Sequence, residues 1–207
     1  MVDGTKKQQT SSFSGRLRLM TSRITEPLGQ WLWLVGIHPD MLTLLGLLLV
    51  LGAAILIGMG QFIISALILI IALPFDVLDG AVARAMQRDN KFGAMFDSTL
   101  DRYADGFIFA GLSYYFAVHN QPMILLAAQA ALIGSLLVSY TRARAEGLGV
   151  DCKVGIFTRF ERTAIITLML LFPIGLTWGI VILAIGTNIT ALQRLWYVYH
   201  ALNNKGN

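Results

Sequence analysis

Charge is scarce in this sequence: 14% of its 207 residues are Asp, Glu, Lys or Arg, against 56% hydrophobic. A soluble domain typically carries about 25% charged residues. A water-solvated globule is therefore excluded and the bilayer is the expected solvent, in keeping with a mean hydropathy of +0.65. Cysteine is scarcer still. The single Cys152 excludes an intrachain disulfide and, without partners at ligand spacing, a thiolate zinc site. His38, His119 and His200 are scattered, so imidazole metal chemistry is not expected either. The first forty residues are polar and basic and lack an apolar core ahead of a small-residue cleavage site, so no cleaved signal peptide is expected.

What the sequence has in abundance is long apolar tracts, which recur from Met41 to Tyr199. A spanning helix needs about 20 mostly apolar residues, and breaks at Gly, Pro, Asn or charged positions divide the tracts into spans at 41–60, 61–86, 93–118, 122–145, 160–177 and 178–199. The expected fold is all-α and polytopic, with six transmembrane helices. Both termini then share one face. The segments 58–61, 117–123 and 172–178 on the opposite face contain no charged residue, whereas Lys and Arg cluster on the terminal face. By the positive-inside rule that face is cytoplasmic, and the protein belongs in the cell membrane. The net charge of +4 then lies against the anionic leaflet, and a nucleic-acid partner is not expected.

Ahead of the first span, Phe13, Leu17, Met20, Ile24, Leu28 and Trp31 recur at near-helical spacing among Arg16, Arg18 and Arg23. This pattern predicts an amphipathic helix on the membrane surface over 13–38. It follows a disordered tail at 1–12 and precedes a membrane domain at 39–200 and a short tail at 201–207.

Ionisable groups within a span are expensive and mark function by default. Six carboxylates fall between Asp76 and Asp105. Asp76 and Asp79 are spaced i, i+3 near the end of the second span, and Asp97 and Asp101 are spaced i, i+4 at the start of the third, so each pair shares a helix face. The polar turn from Arg84 to Lys91 lets the two helices run antiparallel with the pairs facing one another. Four carboxylates at one point repel strongly unless cations neutralise them. Hard oxygen donors without His or Cys suit two Mg²⁺ or Mn²⁺ ions, the clamp used in phosphoryl chemistry. Asp105 continues the row one turn deeper, as an orienting or packing group. A cation transporter would need polar groups continuing to the far face, and the spans beyond Asp105 do not supply them.

Asp76-Val77-Leu78-Asp79-Gly80-Ala81-Val82-Ala83-Arg84, followed by Gly93, Asp97 and Asp101 at the right intervals, resembles the signature of the CDP-alcohol phosphatidyltransferase family. The resemblance implies that Asp76, Asp79, Asp97 and Asp101 bind two divalent metals and that Asp101 is also the general base. It implies that Gly80, Arg84 and Asn90 contact the CDP moiety of CDP-diacylglycerol. Asp40 and Thr43, in the Pro39-Asp40-Met41-Leu42-Thr43 stretch, fall on the family's nucleotide-side segment. A homodimer is implied as well.

The acceptor alcohol is read elsewhere. Arg142, Arg144, Arg159, Arg162 and Arg194 approach the cytoplasmic face from three further helices, and clustered arginine suits bidentate phosphate capture. Arg142 to Glu146, Glu161-Arg162 and Gln193 to Leu195 resemble the phosphatidylinositol phosphate synthase branch of the family. That branch often has Lys where this chain has Arg142. The branch implies that Arg142, Arg159, Arg162 and Arg194 hold the phosphate of inositol phosphate. Glycerol 3-phosphate, the acceptor of phosphatidylglycerophosphate synthases, is the alternative.

Overall fold

The structure, a computed structural model, describes residues 25–86 and 91–203. The tail at 1–12, most of the first half of the expected surface helix, and Asn90 lie outside them. The regular elements among the described residues are all helices, with no strand. Residues 25–34 form α1. It is followed by α2 (Pro39–Gly58), α3 (Phe62–Ala85), α4 (Lys91–Val118), α5 (Pro122–Gly147) and α6 (Arg159–Leu171), then a 3₁₀ turn (Pro173–Gly175) and α7 (Leu176–Asn203).

The stops are written in local chemistry. After α1, Gly36 takes φ +84°, and the amides of Gly36 and Ile37 bond back to the carbonyls of Trp33 and Leu32, a left-handed helix stop that favours glycine. Gly60 ends α2 in the same way, at φ +78°, with the Gly60 and Gln61 amides on the Ile57 and Leu56 carbonyls.

Among the described residues, four elements are long and apolar enough to cross a membrane: Pro39–Gly58, Phe62–Ala85, Pro122–Gly147 and Pro173–Asn203. The other two expected spans differ from these for separate reasons. At 28 residues, α4 is about 42 Å long at 1.5 Å per residue, but Asp97, Asp101, Arg102 and Asp105 interrupt its apolarity. The fifth span was expected over 160–177, yet α6 is a 13-residue helix, about 20 Å long. Pro173 has no amide proton to continue the helical ladder. The chain makes its 3₁₀ turn there, and the last helix begins at Leu176 and runs to Asn203.

The chain divides into two compact units, one made of the described residues through Gly46 with Leu73–Asp97, the other of Leu47–Ala72 with Ser98 onward. In the first, α1 crosses α3 at Gly29, where an added Cβ would come within 2.7 Å of the Ala81 backbone carbon. Pro74 lies inside α3, two residues before Asp76. It has no amide proton to give the Ile70 carbonyl.

The second unit holds the main core, in which Ile57, Phe109, Leu112, Phe116, Leu170 and Leu183 are fully or almost fully buried. Its helices approach closely over small residues, as expected where lipid supplies no hydrophobic drive between helices. Gly111 faces the Ala54 backbone, and Gly134 faces Thr187 and Asn188. Asn188 Nδ2 lies 2.9 Å from the Ala130 carbonyl and 2.8 Å from that of Ala184, so its amide serves both α5 and its own helix.

Candidate active site

In the first unit the site is built on the C-terminal end of α3, the first turn of α2 and the beginning of α4. Asp76 and Asp79 are three residues apart on α3. Asp76 is exposed, whereas Asp79 is buried, at 7% exposure. Thr43 Oγ1 donates to Asp79 Oδ2 at 2.8 Å and also lies 3.1 Å from the Pro39 carbonyl. One hydroxyl thus ties the start of α2 to the α3 carboxylate. Asp40, in the first turn of α2, puts negative charge at the positive end of that helix. Asp76 and Asp97 each present a carboxylate oxygen, and these atoms lie within 4.8 Å of one another. Both carboxylates act electrostatically on Asp79.

Arg84 is exposed, and its guanidinium folds back over Gly80, where an added Cβ would lie 3.4 Å from Arg84 Nη1. Such an exposed fork suits a diphosphate.

Asp101 stands one turn beyond Asp97 on α4. The donor chemistry fits hard divalent cations: carboxylate oxygens at separations that metal–oxygen bonds of about 2.0–2.1 Å can bridge, with no His or Cys among the described residues joining them.

In the second unit, Asp101 and Asp105 form a row along α4 that faces the first turn of α6. Arg159 Nη2 lies 2.7 Å from Asp101 Oδ1, and Arg162 Nη2 lies 2.8 Å from Asp105 Oδ2. Arg102 turns back to the Ser98 carbonyl and remains 3.9 Å from Asp101. Arg162 is buried, at 2% exposure. Thr158 precedes α6 and bonds through its hydroxyl to the Glu161 carboxylate, fixing the turn from which both arginines project.

The remaining arginines are held differently. Arg142 is exposed and pairs with Glu146 one turn along α5 at 2.8 Å. Arg144 is exposed on the same helix. Arg194, 3% exposed, donates from Nη1 to the Val138 carbonyl at 2.6 Å and from Nε to the Val154 carbonyl at 2.9 Å. It clamps α5 and the α5–α6 loop to α7. Thr190 assists by accepting from the Phe157 amide at 3.2 Å, and the Phe157 ring lies against Gly186. Arg142, Arg162 and Glu146 are close enough to Arg194 for their charges to act on it.

The structure therefore brings Arg142, Arg162 and Arg194 into one electrostatic neighbourhood and puts Arg159 on Asp101. Three features of this arrangement were not read from the sequence. The Gly29 crossing had no signal beyond one small residue in an amphipathic pattern. The use of Arg194 as a backbone clamp had none. The row position of Asp105 was visible, but its partner was not.

Comparisons with known proteins point to one family. The model of the CDP-alcohol phosphatidyltransferase family matches residues 36–192, a range that includes α2 and both aspartate pairs. A phosphatidylinositol phosphate synthase of Mycobacterium tuberculosis is 36% identical over 193 residues, covering 88% of each chain. An archaetidylinositol phosphate synthase of Methanothermobacter thermautotrophicus is 36% identical over 196 residues, covering 92% of this chain and 96% of its own. The crystal structure of the M. tuberculosis synthase with CDP-DAG bound superposes with a TM-score of 0.80 at 35% identity, covering 86% of this chain and 94% of that one. The same protein in complex with manganese and citrate gives 0.77 at 34% identity, covering 84% and 88%. With the full aspartate signature on α3 and α4 and likeness along most of its length, the chain belongs to the CDP-alcohol phosphatidyltransferase family.

Proposed function

We propose that this protein is a membrane enzyme that transfers the phosphatidyl group of CDP-diacylglycerol to inositol phosphate, giving phosphatidylinositol phosphate and CMP. The observation that carries the acceptor assignment is the arginine neighbourhood. Arg142 and Arg162 act electrostatically on Arg194. Arg142 is paired with Glu146 and Arg162 with Asp105, whereas the bonds of Arg194 run to two neutral carbonyls, so one positive charge of the group calls for a further anion. An acceptor that carries its own phosphate supplies that anion. The relatives named as inositol phosphate lipid synthases support the choice of inositol phosphate. The CDP-DAG and manganese seen in the M. tuberculosis protein support the donor and the metal.

Two divalent cations, Mg²⁺ or Mn²⁺, held by Asp76, Asp79, Asp97 and Asp101, would neutralise the carboxylates and the donor pyrophosphate when bound. Asp40, Thr43, Gly80, Arg84 and Asn90 hold the CDP end of the donor. Arg142, Arg162 and Arg194 hold the acceptor's phosphate, with Arg159 beside them on Asp101. Asp101 removes the proton from the acceptor hydroxyl. The oxygen attacks the phosphorus that bears diacylglycerol, the anhydride bond to the CMP phosphate breaks, and Arg84 meets the charge on departing CMP. In the cell membrane, α4 and the segment from α6 into the 3₁₀ turn complete six crossings. The termini and site face the cytoplasm, the helix containing α1 lies in the interface, and two copies form a homodimer.

A competition assay tests the acceptor. Purified enzyme with CDP-diacylglycerol and Mg²⁺ is given equal inositol phosphate, glycerol 3-phosphate, free inositol and serine, and lipid products are resolved by mass. Phosphatidylinositol phosphate is expected to dominate. Dominant phosphatidylglycerophosphate would retain the arginine pocket and replace the acceptor, while preference for an unphosphorylated alcohol would overturn both.

A further inference from the structure

We infer that Asp105 is a positioning residue for the acceptor, acting through Arg162 and not through the metal site; the inference rests on the assignment of Arg162 to the acceptor's phosphate. Two ion pairs join α4 to α6 as rungs one turn apart, Asp101 with Arg159 at 2.7 Å and Asp105 with Arg162 at 2.8 Å. The rungs differ in environment. The Arg159 side chain is 43% exposed and Asp101 16%, whereas the Arg162 side chain is 3% exposed and Asp105 13%. An arginine so deeply buried needs a fixed counter-charge, because an unpaired charge in the interior is strongly destabilising. The nearby Arg194 adds like charge, and Glu146 is engaged with Arg142. Asp105 is the carboxylate bonded to Arg162.

That pairing leaves part of the guanidinium unused. Asp105 takes Nη2, while Arg162 Nε is buried with no hydrogen-bond partner among the described residues. Arginine presents its N–H groups in a rigid planar fork, so anchoring one nitrogen fixes the direction of the others. A buried donor without an acceptor is costly, and an anionic oxygen reaching Nε would remove that cost. Asp105 thus holds Arg162 in one orientation, with a donor reserved for a phosphate oxygen. Selection for a phosphorylated over an unphosphorylated alcohol then depends on an aspartate that itself touches neither substrate nor metal.

The test compares Asp105→Asn, Asp105→Glu, Arg162→Gln and the double variant Asp105→Asn/Arg162→Gln, all assayed with CDP-diacylglycerol and inositol phosphate in saturating Mg²⁺. Asp105→Asn is expected to raise the acceptor KM roughly ten- to a hundredfold, the range for losing a charge-assisted bond. The donor KM and the Mg²⁺ concentration for half-maximal rate should hold within about twofold, and Asp105→Glu should recover part of the acceptor KM. The double variant should match Arg162→Gln alone, since an aspartate acting through one arginine has nothing further to lose. It carries no unpaired buried charge, so it decides the question even where Asp105→Asn does not fold. An Asp105→Asn enzyme that loses kcat or Mg²⁺ affinity with an unchanged acceptor KM would overturn the inference, as would a double variant additive in its effects. Arg162→Gln with an unchanged acceptor KM would instead remove the assignment of Arg162 on which the inference rests.

Discussion

The Thr43 hydroxyl reaches Asp79 Oδ2 at 2.8 Å across 36 residues of sequence, from the first turn of α2 to the last two turns of α3. Asp79 is the more buried of the two α3 aspartates, and Thr43 donates to its carboxylate from the neighbouring helix. Thr43→Val keeps the side-chain shape and removes the donor. A hydrogen bond to a charged group contributes about 1.5–3 kcal/mol, so the Mg²⁺ concentration for half-maximal activity is expected to rise roughly ten- to a hundredfold, with Thr43→Ser close to wild type. An unchanged magnesium titration for Thr43→Val would show that the bond serves packing alone.

How much of this was legible beforehand follows from the range over which each feature is encoded. The aspartate pairs are local, spaced i, i+3 and i, i+4, and helical periodicity alone puts each pair on one face. The break at Gly60 is local as well, whereas the stop at Gly36 falls inside the helix expected over 13–38. The partner of Asp105 lies 57 residues away on α6, and no local spacing encodes it. The fifth span was expected over 160–177 with its break near Pro173, and the structure ends α6 at Leu171 with a 3₁₀ turn beginning at that proline, which has no amide proton to donate. That Arg194 also bonds the carbonyls of Val154 and Val138 was not legible, because these lie 40 and 56 residues away in sequence.

Metal dependence follows from the carboxylates themselves. Asp76 and Asp97 bring oxygens within 4.8 Å and Asp79 feels both charges, an arrangement that repels without cations. Enzyme stripped with EDTA is expected to lose activity and to recover it on titration with Mg²⁺ or Mn²⁺. Full activity in metal-free buffer would rule out the metal assignment.

Gly29 tests the docking of α1 on α3. An added Cβ would approach the Ala81 backbone carbon and oxygen to 2.7 and 2.9 Å, and backbone atoms in a helix cannot step aside. Overpacking of this kind typically costs about 1–3 kcal/mol. Gly29→Val is expected to lower the melting temperature in detergent and to reduce activity, because Ala81 lies two residues from Asp79. Equal melting curves for variant and wild type would mean that α1 does not hold α3.

Arg142 and Arg194 separate binding from architecture. Arg142 is exposed and its pair with Glu146 lies on the surface, where such pairs contribute about 0–1 kcal/mol. Arg142→Gln should therefore raise the acceptor KM with little change in melting temperature. Arg194→Gln removes a buried clamp on two carbonyls and should both raise that KM and destabilise the protein. Matching behaviour of the two variants in thermal melts would contradict the clamp.

Asp101→Asn isolates the chemical step. The substitution preserves volume and removes the proposed base together with one carboxylate charge, and it leaves Asp76, Asp79, Thr43 and Arg84 in place for the donor. Turnover, followed as CMP release, is expected to fall by several orders of magnitude, since general base catalysis typically contributes about 10²–10⁴-fold and a metal ligand is lost as well. Binding of CDP-diacylglycerol by the same purified protein should persist, because the CDP end of the donor is assigned to other residues. Arg159, whose partner is Asp101 at 2.7 Å, loses its counter-charge in this variant, so an Arg159→Gln control separates that loss from loss of the base. Activity of Asp101→Asn within about tenfold of wild type, roughly 1.4 kcal/mol of barrier, would exclude Asp101 as the base and move that role to another carboxylate.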